Sequence, residues 1–113
     1  MEPTWRNFFE NSATVQADHR LLALSTSATA LGVFLYARGA GGGRLWAALP
    51  PGPRVATATS AGLVCAQASL GITTLLLYVP TPLAVAHQVG ALGVLASSIW
   101  TTHTLRFANR RAV

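Results

Sequence analysis

The sequence has little charge and almost no cysteine. Only 10% of its 113 residues are charged, none of them is lysine, and 51% are hydrophobic. Soluble domains normally carry about 25% charged residues, so this composition excludes an ordinary water-soluble fold and indicates a membrane protein. Cys65 is the single cysteine and falls inside an apolar segment. It rules out a disulfide within the chain, and a lone thiol there more often serves packing than chemistry.

Acidic residues are also scarce, which limits the possible chemistry. Glu2, Glu10 and Asp18 are the only three, and they do not form a facing pair of carboxylates. The sequence has no glycine-rich phosphate loop and no nucleophile paired with a base, so it predicts no hydrolase. A net charge of +5 is compatible with nucleic acid, but the arginines flank apolar segments and do not form a patch, so we predict no nucleic-acid partner.

Two long uncharged runs predict three membrane helices. Residues 21–37 contain 17 uncharged positions, and residues 55–105 contain 51 positions without a formal charge. At about 1.5 Å per residue the first run spans roughly 26 Å, close to the ~30 Å hydrocarbon core of a bilayer. The second run is too long for one crossing, and Pro80 and Pro82 divide it because proline ends the preceding helix. The predicted helices cover residues 16–37, 55–79 and 82–106.

The segments outside these helices predict an interfacial stretch and a loop. In residues 1–15 aromatic side chains alternate with charged ones, as in segments that rest among lipid headgroups. Residues 38–54 are too rich in glycine and proline to sustain a helix. No basic start precedes an apolar core and a cleavage site, so we expect no cleavable signal. The alternating positions are Glu2, Trp5, Arg6, Phe8, Phe9 and Glu10.

Charge differs between the two ends of the predicted helices. The end with the N-terminus has charged residues that sum to −1, and the opposite end has arginines that sum to +6. By the positive-inside rule, the 38–54 loop and the C-terminus lie in the cytoplasm or matrix, and the N-terminus lies outside. The residues counted are Glu2, Arg6, Glu10, Asp18 and Arg20 at the outer end, and Arg38, Arg44, Arg54, Arg106, Arg110 and Arg111 at the inner end.

Two histidines lie at the same depth in this topology. His19 is at the start of the first helix, His87 is one turn into the third, and both helices begin outside. A single histidine there is best explained as an interfacial side chain. Two at matched depth indicate one metal centre, because ionisable residues in membrane helices are costly and imidazole is a common ligand of haem iron. Two axial ligands suffice for haem, whereas zinc or copper needs three or four.

Small residues accompany both histidines and have two explanations. They leave room for a porphyrin plane beside the backbone, and they equally allow helices to pack closely without a cofactor. The positions on the histidine faces are Ala23, Thr26 and Ala30 for His19, and Gly90, Ala91, Val94 and Ser98 for His87. Small-residue packing between helices is predicted at Ala58, Gly62 and Ala66, and at Ala86 and Gly90.

The remaining polar residues are less informative. His103 lies about 24 Å along the helix from His87, too far to share one iron. Arg20 could pair with a haem propionate, although an arginine that snorkels to the interface explains it at least as well. Gln67 and Gln88 need partners inside a bundle, so we expect hydrogen bonds between helices.

Four segments together resemble a known family. They are residues 5–11 (WRNFFEN), 15–20 (VQADHR), 71–84 (GITTLLLYVPTPLA) and 87–90 (HQVG). An Asp-His-Arg helix start followed roughly sixty residues later by Tyr-Val-Pro-Thr-Pro and His-Gln-x-Gly is a specific combination. It resembles the C-terminal part of heme A synthase of the mitochondrial and alphaproteobacterial type, over nearly the whole chain.

The resemblance implies an all-α integral membrane protein whose three transmembrane helices form part of a four-helix haem-binding bundle. Heme A synthases have two similar halves and oxidise a methyl group of haem O to the formyl group of haem A. In that family the C-terminal half holds haem b, and His19 and His87 match its iron ligands. The half that binds the substrate haem, and the first helix of the C-terminal half, have no counterpart in this sequence. The implied location is the mitochondrial inner membrane or the bacterial plasma membrane.

Two functions from different classes remain open. The chain is either part of a heme A synthase that needs the missing half, or a non-catalytic membrane haem-binding or assembly subunit. A degenerate product with neither haem nor partner is a third reading. Because three helices lack the fourth wall of a bundle, we expect an apolar groove that contacts lipid, the missing half or a second copy. The sequence does not indicate an electron donor.

Overall fold

The computed structural model describes residues 3–110 and is all-helical over that range. Three of its helices are long and apolar enough to cross a membrane, which confirms the predicted fold class. Glu2, Arg111 and the side chain of Arg110, which entered the charge argument, lie outside the described part. The helices are α1 (Thr4–Glu10), α2 (Ser12–Gly39), α3 (Arg44–Ala48), α4 (Pro51–Leu76) and α5 (Thr81–Arg110), with a 3-10 turn at Ala40–Gly43.

The break between α4 and α5 falls at the predicted prolines. The amide of Tyr78 donates to the carbonyl of Leu75 at 3.2 Å, and that of Val79 donates to Thr74 at 2.8 Å. This pattern is a Schellman ending, which uses a left-handed residue after the helix. Here both Tyr78 and Val79 are left-handed, with φ of 58° and 57°. A short, strained turn therefore connects α4 to α5.

The connection between α2 and α4 differs from the predicted loop over residues 38–54. Gly41, Gly42 and Gly43 have φ of 60°, 65° and 86° and turn the chain into the short helix α3. The second long helix begins at Pro51, earlier than the predicted residue 55. The prediction treated proline as a helix breaker throughout, but in the first turn of a helix the missing amide has no intrahelical partner to lose.

Side chains of α2 and α4 contact α3 and hold it in place. The Arg54 Nε donates to the carbonyl of Leu49 at 2.6 Å, and its Nη2 donates to Ala47 at 2.7 Å. These carbonyls are at the end of α3, where helix backbone groups lack partners and a cation is favourable. Phe34 of α2 meets Trp46 of α3 edge to face, with ring centroids 5.7 Å apart. The connection between α2 and α4 is therefore held in a defined position by hydrogen bonds and an aromatic contact.

The N-terminal stretch is helical over most of its described length. Thr4–Glu10 forms α1, in which the Arg6 Nε donates to Glu10 Oε1 at 2.9 Å. Asn11 then interrupts the helix, and its side chain accepts a hydrogen bond from the amide of Ala13 at 3.1 Å. This N-cap starts α2 at Ser12, whereas the apolar run alone predicted residue 16.

The core is a narrow seam between α4 and α5. Helix α4 packs along α5 and also contacts α2. Ser60 and Thr101 join their hydroxyl groups across the seam at 2.9 Å. Small side chains allow this close approach. The buried residues of the seam are Ala56, Thr57, Ser60, Ala61 and Val64 from α4, and Val94, Ser97 and Thr101 from α5.

One predicted packing face is not buried between the helices of this chain. Ala58, Gly62 and Ala66 are exposed, and a β-carbon added at Gly62 would have no atom within 4 Å. The buried stripe of α4 lies on another face, with Thr57, Ser60 and Val64 among its residues. Small-residue spacing is satisfied on both faces, so the sequence did not distinguish them.

The surface of the chain is large and apolar. Its accessible area is 8069 Å², whereas a compact soluble monomer of this mass would expose about 5,900 Å². Leu22 and Leu24 of α2 are 68% and 70% exposed. This surface suits lipid or another protein helix, consistent with a membrane location.

Candidate functional site

Helices α2 and α5 bring the two predicted histidines together. His19 lies seven residues after the start of α2 and His87 six residues after the start of α5, so both are about 10 Å along their helices. Their ring centroids are 6.0 Å apart and their planes are inclined at 59°. The predicted pairing in space is therefore observed, and the iron-ligand role of the pair stays a prediction.

The separation of the two rings fits one shared metal ion. A metal–imidazole bond is about 2 Å long and a ring centre lies roughly 1 Å behind its nitrogen, so two axial imidazoles have centroids about 6 Å apart. The inclination of the planes is not restrictive, because each imidazole can rotate about its own bond to the metal.

The environment of His87 also calls for a partner. Its Nδ1 is the one buried side-chain polar atom without a hydrogen bond in the described part of the chain. Leaving such an atom unsatisfied costs about 1–3 kcal/mol, so native proteins rarely tolerate it without a reason. His19 on α2 is exposed by comparison. A ligand placed between the rings would complete the environment of the pair.

Helix α4 supports His87 although it carries no histidine. A β-carbon at Gly71 would lie 2.8 Å from Cε1 of the imidazole, so the ring rests directly on the α4 backbone. One turn earlier, Gln67 Nε2 donates to the main-chain carbonyl of His87 at 2.6 Å. The predicted inter-helix hydrogen bond of Gln67 is confirmed, while Gln88 is exposed. The role of Gly71 was not predicted.

The donor set favours haem over a bare metal ion. Among residues 3–110, no three histidine, cysteine or acidic side chains form a metal-binding group. Asp18, beside His19, is half-buried, and Arg20 is exposed. His103 is paired with Phe107, with ring centroids 4.7 Å apart. Two imidazoles alone suit the axial positions of haem iron, which takes its other four ligands from the porphyrin.

A groove of about 370 Å³ lies between α2 and the α4–α5 pair, farther along the helices than the two histidines, neither of which lines it. Thr26 and Ala30 on one side and Ser98 on the other were the predicted neighbours of the histidine faces, and all three line it. Many of its hydroxyl groups are already bonded; for example, Ser98 donates to the carbonyl of Val94 at 2.8 Å. The wall therefore presents small side chains with satisfied polar groups, which suits an apolar occupant.

Comparisons with known proteins agree on one family. The family model for COX15-CtaA, described as cytochrome oxidase assembly protein, matches residues 1–99. The chain is 45% identical to heme A synthase COX15 of Mus musculus over 92% of its length. It is 41% identical to heme A synthase COX15 of Arabidopsis thaliana over 94% of its length. It is 40% identical to a bacterial heme A synthase, that of Nitrosospira multiformis, also over 94%.

The match is nearly complete for this chain and partial for its relatives. It covers 24% of the mouse protein, 22% of the Arabidopsis protein and 28% of the bacterial one. The chain thus spans about a quarter of the length of the curated relatives. No solved structure matches it.

Proposed function

The chain belongs to the COX15-CtaA family of cytochrome oxidase assembly proteins, and from this membership we propose that it is the haem b-binding part of a heme A synthase. The observation that carries the proposal is the 6.0 Å separation of the His19 and His87 rings. The curated relatives are named heme A synthases, which supports haem as the ligand of the pair.

Each residue of the histidine site has a distinct role in this proposal. His19 and His87 would hold the haem iron through their imidazoles, and Arg20 would pair with a propionate. A haem held by two histidines would supply electron transfer. The electron donor is not assigned.

The oxidation of the haem O methyl group to the formyl group of haem A belongs to the assembled protein. This chain aligns with about a quarter of each curated relative, and we propose that it acts together with the remaining three quarters. The assembly lies in the mitochondrial inner membrane or a bacterial plasma membrane. The N-terminus is outside and the arginine-rich end is in the matrix or cytoplasm.

A chimera tests this function. The matching segment of the Nitrosospira multiformis heme A synthase is replaced by this chain, and haem A is quantified in extracts of membranes from a host that lacks its own enzyme. We expect haem A from the chimera, and a loss of at least tenfold when His19 or His87 is replaced by alanine. His103→Ala serves as the matched control. Equal haem A from all variants would contradict the proposal.

A further inference from the structure

We propose that Gln67 and Gly71 of α4 are positioning residues that set the height and the plane of the His87 imidazole. The proposal rests on the proposed haem function, because it assigns a role in holding one ligand of that site. Helix α4 contributes no iron ligand of its own. The proposal is based on two reciprocal contacts between α4 and α5. The His87 side chain of α5 packs against Gly71 of α4, and the Gln67 side chain of α4 packs against Gly90 of α5.

The first half of the arrangement places the ring of His87 on Gly71. A β-carbon at Gly71 would lie 2.8 Å from Cε1 and 3.4 Å from both ring nitrogens. Contacts under about 3 Å between carbon atoms are strongly repulsive. The imidazole can keep this position only while residue 71 is glycine. The backbone of α4 is therefore one wall of the slot that holds the ring.

The second half places the side chain of Gln67 on Gly90. A β-carbon at Gly90 would overlap Oε1 of Gln67. In the observed structure the amide reaches past Gly90, and its Nε2 donates to the His87 carbonyl at 2.6 Å. This hydrogen bond fixes the position of the His87 backbone along α4. Gln67 thus controls the height of the ligand, whereas Gly71 controls its orientation.

Packing here takes the place of a hydrogen bond. Metal-bound histidines usually donate their second ring N–H to a carboxylate or carbonyl, which fixes the orientation of the ring. Neither ring nitrogen of His87 makes a hydrogen bond in the described part of the chain. Without a hydrogen bond, rotation of the ring is limited by the surrounding atoms, and a β-carbon added at Gly71 would contact three of the ring atoms.

Glycine-to-alanine variants separate this role from general helix effects. Gly71→Ala on α4 is compared with Gly62→Ala on the same helix, and Gly90→Ala on α5 is compared with Gly93→Ala. Added β-carbons at Gly62 and Gly93 would have no atom within 4 Å. All four changes raise helix propensity to a similar extent. Differences within a pair therefore report the contacts of His87 and Gln67.

The readouts are the electron paramagnetic resonance g values and the midpoint potential of the bound haem. Both respond to the orientation and surroundings of axial ligands. We expect Gly71→Ala and Gly90→Ala to shift the largest g value and the potential, and Gly62→Ala and Gly93→Ala to match the wild type. Gln67→Met, which keeps the length of the side chain without its donor, should shift both readouts in the same direction as Gly90→Ala.

A double variant tests whether Gly90 acts through Gln67. If Gly90 is needed only to admit the amide, then Gln67→Ala with Gly90→Ala should behave as Gln67→Ala alone, because the overlap is removed. Additive shifts would overturn this link. Helix content measured by circular dichroism in detergent is recorded for every variant, so that unfolding is recognised separately.

The outcome distinguishes this inference from the haem function. A wild-type protein without haem, or with haem unaffected by His19→Ala and His87→Ala, removes the function on which the inference rests. A bis-histidine haem whose g values and potential are the same in Gly71→Ala, Gln67→Met and the wild type overturns the positioning role and leaves the function intact. If Gly71→Ala fails to fold, Gln67→Met alone decides the question.

Discussion

A single pair of hydroxyl groups joins α4 to α5 near the middle of the seam. Ser60 and Thr101 are buried and lie 2.9 Å apart. We predict that Ser60→Ala and Thr101→Val each lower the stability of the helix pair, and that a double-mutant cycle gives a coupling energy of about 0.6 kcal/mol. Thermal unfolding in detergent measures it. The exposed Thr59 provides a control, since Thr59→Val with Thr101→Val should show no coupling.

At the scale of residues, the sequence predicted that the two histidines meet, but it did not predict which residues hold them in place. His19 and His87 were predicted to pair because helix connectivity and depth follow from hydropathy and prolines. The contact of Gly71 with the His87 ring depends on the rotation of α4 about its own axis, and the weak amphipathicity of these helices does not determine that rotation. For the same reason the sequence did not show which small-residue face of α4 packs against α5.

The turn between α4 and α5 stores strain that a substitution can relieve. Val79 is β-branched and has φ of 57°, a conformation that costs non-glycine residues about 1–2 kcal/mol. We predict that Val79→Gly raises the stability of the protein by up to about 1 kcal/mol, after the greater flexibility of glycine in the unfolded chain is subtracted. The melting temperature in detergent is the measurement.

The neighbouring Leu77 is the control for this turn. Its φ is −95°, so Leu77→Gly adds flexibility without removing strain and should lower the melting temperature. If Val79→Gly were no more stable than Leu77→Gly, the strain at residue 79 would not be real.

At the scale of elements, the predicted order of three long helices is correct and their limits shifted by a few residues. Pro80 correctly marked the break between α4 and α5. It lies within an uncharged run that is too long for one membrane crossing. Pro51 and Pro53 were treated as breakers and instead lie in the first turn of α4. The N-cap of Asn11 extends α2 backwards through polar residues that hydropathy alone does not assign to a helix.

The whole molecule has an asymmetric charge that predicts its orientation. Acidic residues are confined to the first 18 positions, and the opposite end carries arginine alone. In a Cys65→Ser background, we predict that Ser12→Cys reacts with an impermeant maleimide from outside, whereas Ala47→Cys reacts only after the membrane is opened. Both positions are exposed. Equal labelling of both in sealed membranes would disprove the proposed orientation.

The excess surface predicts association. The chain exposes 8069 Å², about 2,000 Å² more than a compact monomer of its mass, and α2 is covered on little of its surface. We predict that crosslinking in native membranes captures a neighbouring protein against α2, through probes placed at Leu24 or Leu35. Probes on the connection between α2 and α4, at exposed Ala48, serve as controls. A monomer that keeps its helix content in mild detergent and forms no crosslink from α2 would contradict this prediction.

The most direct test of the account is the optical spectrum of the purified chain, or of its native assembly, reconstituted with haem b. Because His19 and His87 are proposed as the two protein ligands of the iron, the account predicts a low-spin b-type spectrum that is lost or converted to high spin by His19→Ala and by His87→Ala. His103→Ala should leave it unchanged. A low-spin spectrum that persists in both ligand variants would contradict the central claim that this histidine pair holds the haem.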